Sequence, residues 1–239
     1  MTEMRTALVT GATSGIGRAA ALKLAQDGFR VLVHGRDAER GAAVVKEIES
    51  AGGSAEFLAA DLTDVRAIRQ LAAVAGDVDV LVNNAGFAWF GPTADLDPDR
   101  YDELFDANVR SAYYLTAAIA PKMAERGRGT VINLGSMAGQ IGLAGGAAYS
   151  ATKAALTSLT RSWAAEYSPQ GVRVNTIAPG PAYTGGSSRE SLTALGKTTL
   201  LSRTAEAEEI GDVIAFLASP AAGYITGAVI PVDGGRTAV

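Results

Sequence analysis

The 239-residue sequence contains no cysteine and only one histidine, His34. These absences exclude a thiol nucleophile, a disulfide framework and a zinc site built from cysteines or from two histidines. A histidine-based nucleophilic triad is not indicated either, because no serine and aspartate partners are arranged around His34. We therefore expect no metal centre, and any proton transfer must use other side chains.

Charge is scarce as well: charged residues make up 19% of the chain, and the formal net charge is −4. This balance argues against a nucleic-acid-binding surface. The longest uncharged stretch, residues 129–152, contains six glycines and several polar side chains, so we do not interpret it as a membrane span. No apolar run of signal-peptide length precedes residue 11. We expect a cytoplasmic protein with no nucleic-acid or membrane partner.

Glycine, in contrast, is abundant, and the apolar residues fall into short runs of strand length. Each run is followed by a segment of helical length and composition. The predicted strands cover residues 6–9, 30–34, 56–59, 78–82, 130–134, 172–177 and 228–232. The predicted helices cover residues 16–27, 38–50, 64–75, 99–125, 149–167 and 206–218.

This alternation predicts parallel strand pairing with helices on both faces of the sheet. Because no linker or internal repeat divides the chain, we predict an α/β fold with one doubly wound Rossmann-type domain over residues 1–239. Its sheet would have seven parallel strands. Residues 181–203 have no clear place in the alternation, and we interpret them as a loop that covers the substrate.

A glycine-rich turn follows the first predicted strand and leads directly into a helix. Glycines permit a tight turn and close approach of the backbone to a phosphate, and the free N–H groups of a helix start favour an anion. The spacing G-x-x-x-G-x-G departs from the G-x-G-x-x-G fingerprint, so a turn that only packs helix on sheet stays an alternative. The candidate phosphate-binding residues are Gly11, Thr13, Ser14, Gly15, Ile16 and Gly17.

The end of the second predicted strand bears on the choice of dinucleotide. An acidic residue there suits a ribose 2′-hydroxyl, whereas an arginine suits a 2′-phosphate. The sequence reads His34-Gly35-Arg36-Asp37. Arg36 favours NADP(H), while Asp37 keeps NAD(H) possible and Arg36 is also interpretable as the solvated start of a helix. His34 is expected to be a strand-end residue or, at most, a contact near the 2′-phosphate.

Tyr149 and Lys153 stand four residues apart in a predicted helix and therefore share one face. A nearby cation lowers the pKa of a tyrosine from about 10, which gives an acid and base usable near neutral pH. Ser136 follows the fifth predicted strand, at the edge where open parallel sheets bind ligands. Because tyrosine and lysine meet often by chance at this spacing, the pair alone is a weak indication.

The order of such motifs along the chain is more specific. The set comprises G-x-x-x-G-x-G at 11–17, Asp61-Leu62, Asn83-Asn84-Ala85-Gly86, Asn108, Ser136, Tyr149-x-x-x-Lys153, Pro179-Gly180, and Thr226-Gly227 leading to Val232-Asp233-Gly234-Gly235. Over nearly its whole length the sequence resembles the short-chain dehydrogenase/reductase family, in particular its 3-oxoacyl-carrier-protein reductases and carbonyl reductases. The resemblance implies hydride transfer between a nicotinamide cofactor and a ketone or secondary alcohol.

The resemblance also implies roles for four catalytic residues. Tyr149 would be the acid/base, and Lys153 would lower its pKa and bind the nicotinamide ribose. Ser136 would hold the substrate oxygen. Asn108 would fix the backbone and a water that links Lys153 to solvent, although a helix-bend residue is the alternative for Asn108.

The cofactor contacts implied by the resemblance include Tyr149 and Lys153 themselves. The further contacts are Asp61 and Leu62 at the adenine, Asn84, Ala85 and Gly86 as a cofactor wall, and Pro179, Gly180, Ala182 and Thr184 towards the nicotinamide. Of these, Thr184 would reach the nicotinamide amide or a phosphate. Ala182 departs from the family pattern, which commonly has a β-branched apolar residue at that position. A helix cap remains an alternative for Asp61, and an ordinary loop hydroxyl remains one for Thr184.

Substrate and assembly follow from the same resemblance and from the composition of the expected pocket. The pocket residues would be Phe87, Trp89, Phe90, Met137, Gln140, Ile141, Leu143 and Tyr183. Such an apolar and aromatic lining favours a ketone with a bulky apolar, aromatic or 3-oxoacyl substituent. The family tends to form homotetramers through two long helices, here residues 101–125 and 150–167. Alternatives are an NAD-linked secondary-alcohol dehydrogenase and a non-catalytic dinucleotide-binding regulator.

Arg126 and Arg128 precede the fifth predicted strand. In relatives that reduce substrates carried on an acidic protein, basic residues near the pocket receive that protein. The two arginines would suit such docking, but a solvated turn is the favoured interpretation.

Overall fold

The computed structural model describes residues 4–185 and 188–239. The strands are β1 Thr6–Val9, β2 Arg30–Gly35, β3 Ser54–Ala59, β4 Val80–Asn83, β5 Gly129–Leu134, β6 Val172–Pro179, β7 Ala182–Tyr183, β8 Ala205–Glu206 and β9 Val229–Val232. The α-helices are α1 Gly15–Gln26, α2 Ala38–Ser50, α3 Val65–Ala75, α4 Pro98–Phe105, α5 Ser111–Glu125, α6 Ala147–Tyr167, α7 Arg189–Gly196 and α8 Ala207–Ala218.

Seven strands form one parallel sheet in the order β3-β2-β1-β4-β5-β6-β9. The predicted α/β fold with a seven-stranded parallel sheet is therefore confirmed. The strand order reverses next to β1, which lies between β2 and β4. In open parallel sheets, ligands bind beyond the carboxyl ends of the strands at such a reversal. The fold thus provides a cleft above β1 and β4.

Both faces of the sheet are covered, and β1 illustrates how the sequence achieves this. Its residues alternate between two apolar clusters: Ala7 and Val9 pack with α1, α2 and α8, whereas Leu8 packs with α3, α5 and α6. All four residues of the strand are buried. A continuous apolar run is typical of a parallel strand that has helices on both sides.

Two segments differ from the sequence prediction. The predicted helix over 99–125 is interrupted: α4 and α5 flank a π-helical turn, Asp106–Arg110. The stretch 181–203, predicted as a loop, contains β7 and α7. Strand β7, which precedes α7, pairs in parallel with β8, which follows α7. The serines and glycines at 185–188 are typical of a loop, so the sequence did not predict this helix. Ser188 is its N-cap. Residues 186 and 187 of the predicted loop lie outside the described residues.

None of the helices in the described ranges combines the length and apolar character that a membrane span requires.

A chain of buried polar side chains crosses the sheet just below the cleft. The side-chain Nδ2 of Asn83 in β4 donates to the side-chain Oδ1 of Asn133 in β5 over 2.8 Å. The Asn133 Nδ2 donates to the Thr160 hydroxyl of α6 over 2.7 Å. Thr160 in turn lies 2.6 Å from the hydroxyl of Thr176 in β6. A buried polar group without a hydrogen-bond partner lowers the stability of the folded state. These bonds therefore fix the register of three strands and the position of α6.

Helix α6 also carries an ionisable side chain into the interior. Lys153 is 6% exposed, and its Nζ donates to the backbone oxygen of Leu134 at the end of β5 over 2.7 Å. Burial lowers the pKa of this amine from 10.5 to about 8. Because the folded state releases the Lys153 proton at a lower pH than the unfolded state, the free energy of unfolding rises with pH between about 8 and 10.5.

The variant Lys153→Met removes this titration. Relative to the variant, we expect the wild-type free energy of unfolding to rise by about 2 kcal/mol between about pH 8 and about pH 9.5. Urea denaturation across this range measures the difference. Lys122→Met, which changes an exposed lysine of α5, is the control and should follow the wild-type curve. Parallel curves for wild type and Lys153→Met would contradict the desolvation of the amine.

Candidate active site

The three residues expected to perform the chemistry meet at the carboxyl edge of β5. Ser136 directly follows this strand and begins a short 3₁₀ helix, Met137–Gly139, with its Oγ accepting from the Ala138 N–H over 3.1 Å. Tyr149 lies in the first turn of α6, and Lys153 lies one turn later. The Lys153 Nζ is 5.7 Å from the centre of the Tyr149 ring. Sequence spacing therefore predicted the shared helix face correctly.

The pKa of Tyr149 does not follow the expectation. Burial raises the pKa of this phenol above its ordinary value of 10, and the nearby Ser136 hydroxyl only partly opposes the shift. The expected lowering by Lys153 is absent, because this amine is itself desolvated and donates to Leu134. In this state Tyr149 holds its proton at neutral pH, which makes it a proton donor.

Asn108 lies in the π-helical turn and binds the chain that leads from β4. Its Oδ1 accepts from the Phe87 N–H over 2.9 Å, and its Nδ2 donates to the Phe87 oxygen over 2.9 Å. A Cβ at Gly86 would come within 2.5 Å of the Asn108 Oδ1, so only glycine permits this approach. The extra residue in the π turn aims Asn108 at this backbone. Its expected backbone-fixing contact is present in the structure.

Thr152 and Gly139, which the sequence did not single out, connect the same elements. The fully buried Thr152 hydroxyl donates to the backbone oxygen of Tyr149 over 2.7 Å and accepts from the Asn108 Nδ2 over 3.1 Å. A Cβ at Gly139 would lie 2.9 Å from the Lys153 carbonyl carbon. The available signals were a hydroxyl between the tyrosine and the lysine and a glycine three residues after Ser136.

The glycine-rich turn has the close approaches that a phosphate cradle needs. Gly11 and Gly15 adopt positive φ angles of 63° and 52°. A Cβ at Gly17 would collide with the Gly11 oxygen and the Asn84 amide. Within the described residues, no side-chain bond caps the N-terminus of α1 at Ser14, which leaves this helix start open to an anion. A dinucleotide phosphate fits this backbone.

Asn84 holds the turn from the β4 side. Its Nδ2 donates to the backbone oxygen of Thr10 over 2.8 Å and to the backbone oxygen of Gly11 over 3.2 Å. The Thr10 hydroxyl accepts from the backbone N–H groups of Asn84 and Ala85 over 2.9 and 3.0 Å. The Asn84 amide therefore faces the turn, and the cofactor wall assigned to residues 84–86 stays a prediction.

Arg36 and Asp37 follow β2 and have separate environments. The Asp37 carboxylate caps α2 by accepting from the Arg40 N–H over 3.1 Å, and it lies 3.2 Å from the Arg40 Nε. Arg36 forms no ion pair within residues 4–185 and 188–239. A Cβ at Gly35 would lie 2.5 Å from the Thr13 Cγ2, so the strand end approaches the glycine-rich turn closely. This leaves the Arg36 guanidinium available to an anion.

Asp61 and Leu62 lie at the exit of β3. The Asp61 carboxylate accepts from the N–H and the hydroxyl of Thr63 over 3.0 and 2.9 Å. These bonds lower the pKa of Asp61, and the charge of Arg36 lowers it further. Leu62 is buried against the apolar cluster of α3 and α5. Asp61 thus stabilises a local turn and lies within electrostatic reach of Arg36. It is not the helix cap of the alternative interpretation, because Asp64 caps α3.

The segment after β6 approaches the glycine-rich turn. A Cβ at Gly180, next to Pro179, would lie 2.6 Å from the Asp233 Cα. Ala182 is buried in β7. A Cβ at Gly15 would lie 3.0 Å from the Thr184 Cβ, so Thr184 flanks the phosphate cradle. Sequence analysis placed this residue near the nicotinamide or a phosphate, and the structure brings it to the turn.

The expected pocket residues divide between the site and its surroundings. The Phe90 ring lies edge-on to Tyr149 with the ring centres 5.5 Å apart, and 59% of Phe90 is exposed. The Phe87 ring packs under the Arg100 guanidinium at 4.3 Å. Tyr183 lies further out, with its hydroxyl 2.7 Å from the Thr193 hydroxyl of α7. Phe90 is the aromatic residue that contacts a proposed catalytic side chain.

Arg126 and Arg128 precede the amino end of β5, whereas Ser136 follows its carboxyl end. Arg126 pairs with Asp77 over 2.8 Å, and Arg128 pairs with Asp79 over 3.3 Å. Within this chain the two arginines do not border the pocket. Arg128 is solvated, as the favoured interpretation held, whereas the Arg126 side chain is only 21% exposed and also donates to the Val78 backbone oxygen.

Comparison with known proteins agrees with this geometry. A family model described as Enoyl-(Acyl carrier protein) reductase matches residues 11–237. The chain is 37% identical over 239 residues to the 3-oxoacyl-[acyl-carrier-protein] reductase FabG of Staphylococcus aureus, with 97% of each chain covered. It is 47% identical to a solved short chain dehydrogenase/reductase family protein, with a TM-score of 0.92 and 99% of each chain covered.

A second solved structure is the blue fluorescent protein from a metagenomic library in complex with NADPH. It is 35% identical, has a TM-score of 0.89, and 97% of each chain is covered. Because the family model spans most of the chain and these relatives match it almost end to end, this chain belongs to the short-chain dehydrogenase/reductase family of NAD(P)-dependent enzymes that act on CH–OH and C=O groups.

Proposed function

We propose that the protein is an NADP(H)-dependent reductase of ketones with bulky apolar, aromatic or 3-oxoacyl substituents. The observation that carries the proposal is the meeting of Ser136, Tyr149 and Lys153 at the carboxyl edge of the sheet, beside the phosphate cradle at 11–17. The relatives support it, since one is named a 3-oxoacyl reductase and another was solved with NADPH.

The bound cofactor would supply the hydride, and the residues of this chain would manage the carbonyl oxygen. Tyr149 holds its proton at neutral pH because burial raises its pKa, so its hydroxyl donates that proton to the oxygen. Ser136 holds the same oxygen by a hydrogen bond. Lys153, whose pKa is lowered by burial to about 8, takes up and releases a proton in that pH range.

Tyr149→Phe tests the proton donor. The variant keeps the ring and the Phe90 contact but lacks the hydroxyl, so we expect turnover to fall by about 10²–10⁴-fold while NADPH affinity stays near that of wild type. Steady-state rates and fluorescence titration measure the two quantities. Tyr167→Phe, at the other end of α6, is the control and should retain full turnover. Activity retained in Tyr149→Phe would assign the proton transfer to another group.

The preference for NADP(H) rests on Arg36. Its guanidinium follows β2, forms no ion pair in the described part of the chain, and stands where an arginine suits a 2′-phosphate. The neighbouring Asp37 does not compete, because its carboxylate caps α2 and pairs with Arg40.

Arg36→Ala should therefore weaken NADPH binding by about 10-fold or more, since a charge-assisted bond is lost. NADH binding should change little. Dissociation constants of both cofactors for wild type and variant measure the effect. Arg40→Ala removes a nearby arginine that is already paired and should leave the ratio of the two affinities intact. An equal loss for NADPH and NADH would argue for an NAD-linked dehydrogenase.

The substrate class rests on the aromatic contact at Tyr149. Phe90 presents a largely exposed ring beside the phenol, where a bulky apolar substituent of a ketone would pack. We expect α7 and the other described residues of the segment 181–203 to cover the substrate.

We expect wild type to reduce aryl ketones with higher kcat/KM than small polar ketones or sugars. Phe90→Ala should lower kcat/KM for aryl ketones by about 3- to 10-fold, the scale of one aromatic contact, and leave small ketones unaffected. Phe216→Ala, which truncates an exposed phenylalanine of α8, is the control. A panel in which sugars are the better substrates would overturn this substrate class.

Assembly into a homotetramer through α5 and α6 is part of the same proposal. Tyr113 and Tyr114 of α5 are partly exposed, and the Tyr113 ring lies 6.1 Å from the Trp163 ring of α6. Aromatic side chains of this kind are enriched in protein interfaces.

A further inference from the structure

His34, the sole histidine, is 3% exposed at the end of β2 and has a partner for each ring nitrogen. Its Nδ1 lies 3.3 Å from the backbone nitrogen of Gly11, whose N–H points at it. Its Nε2 lies 3.2 Å from the backbone oxygen of Ala60. The histidine therefore does more than end a strand: it bridges the glycine-rich turn to the exit of β3.

The partners determine the protonation state. The Gly11 N–H is a donor, so Nδ1 must be an acceptor and carry no proton. The Ala60 oxygen is an acceptor, so Nε2 must carry the proton. Only the neutral imidazole with its proton on Nε2 satisfies both bonds, because both nitrogens of a charged imidazolium are donors.

The two segments that His34 joins are those assigned to the adenosine half of the cofactor. Gly11 opens the phosphate cradle, and its positive φ makes the direction of its N–H specific to this turn. Ala60 immediately precedes Asp61 and Leu62. A proton on Nδ1 would oppose the Gly11 N–H and push the first residue of the cradle away from β2.

We propose that neutral His34 is a positioning residue that holds the glycine-rich turn and the segment 60–62 in the geometry that binds the dinucleotide, and that its protonation weakens cofactor binding. This inference rests on the proposed binding of a dinucleotide at the turn. It places a pH-sensitive element inside the cofactor site, away from Tyr149 and Lys153.

The surroundings favour the neutral form. Burial lowers the pKa of His34 below its ordinary value of 6.5, the Ala60 bond opposes this shift, and the charge of Arg36, just after the same strand, adds to it. From β3, Asp61 follows the bonded Ala60, and its own pKa is lowered. The turn at 10–14 contributes no ionisable side chain. Since the folded pKa is depressed, the bridge is intact above pH 6.5 and is lost as pH falls through the folded value.

A sole histidine allows a direct measurement. In tag-free protein with labelled histidine, the imidazole resonance of His34 reports its titration without overlap. If the cofactor binds the neutral form preferentially, saturation with NADP⁺ must lower the midpoint of this titration. We expect a decrease of about 0.5 to 1 pH unit, which corresponds to a 3- to 10-fold weakening of binding on protonation. An unchanged midpoint in protein that demonstrably binds NADP⁺ would overturn the proposal.

Two variants separate the two ring nitrogens. In His34→Asn, the amide oxygen is bonded to Cγ, at the position that Nδ1 occupies in histidine. The variant therefore keeps an acceptor for the Gly11 N–H, and this acceptor does not titrate. His34→Gln places its terminal amide atoms at the distance of Nε2 and keeps a donor for Ala60 only. Each variant loses one of the two bonds, so calorimetric titration with NADP⁺ near neutral pH should give weaker binding for both, and about 3- to 10-fold weaker binding for His34→Gln, which loses the Gly11 bond.

At acidic pH, wild type should lose affinity and His34→Asn should not, after thermal unfolding has shown both to be folded at that pH. NAD⁺ lacks the 2′-phosphate, so the same loss with NAD⁺ excludes titration of the ligand as its cause. Equal acid sensitivity of wild type and His34→Asn would refute the role of His34. Absence of binding of either cofactor at any pH would instead refute the proposed function.

Discussion

One hydrogen bond between the Asn83 and Asn133 side chains ties together the parts of the proposed site. The two asparagines are register partners in β4 and β5, and each is followed within three residues by part of the site. Asn84 continues from β4 to hold the glycine-rich turn, while Leu134 and Ser136 continue from β5. Because the bond lies in the dry interior, it specifies the strand register strongly, and a slip would misplace both segments at once.

Polar side chains recur in this architecture as supports for the backbone. Asn84 binds the oxygens of the glycine-rich turn, Asn108 binds both polar groups of Phe87, and His34 bridges Gly11 to Ala60. The glycine-rich turn and the segment that follows β4 are held mainly through their main chains. Neighbouring polar residues supply that anchoring, and glycines supply the space for close approach.

Sequence alone predicted the seven strands, most of the helices and the shared face of Tyr149 and Lys153, because apolar periodicity and helical spacing are local properties. It did not predict the π turn at Asn108, since a one-residue insertion in a helix depends on what the side chain binds across the cleft. It also missed α7, whose serine-rich start resembles a loop. The raised pKa of Tyr149 and the bridging role of His34 depend on burial and on partners distant in the chain, which spacing does not reveal.

The pairing of β7 with β8 has an evolutionary consequence. Two residue pairs and the bond from Ala205 to the Pro181 oxygen close the base of the segment that carries α7, so its ends are fixed next to the sheet. With the base closed, residues between 184 and 204 can be exchanged, lengthened or shortened without shifting a strand of the large sheet. Doubling a loop's length costs only about 0.6 kcal/mol in closure entropy. Under the proposed role of this segment as the substrate cover, the substrate range can be changed here while the large sheet is left unchanged.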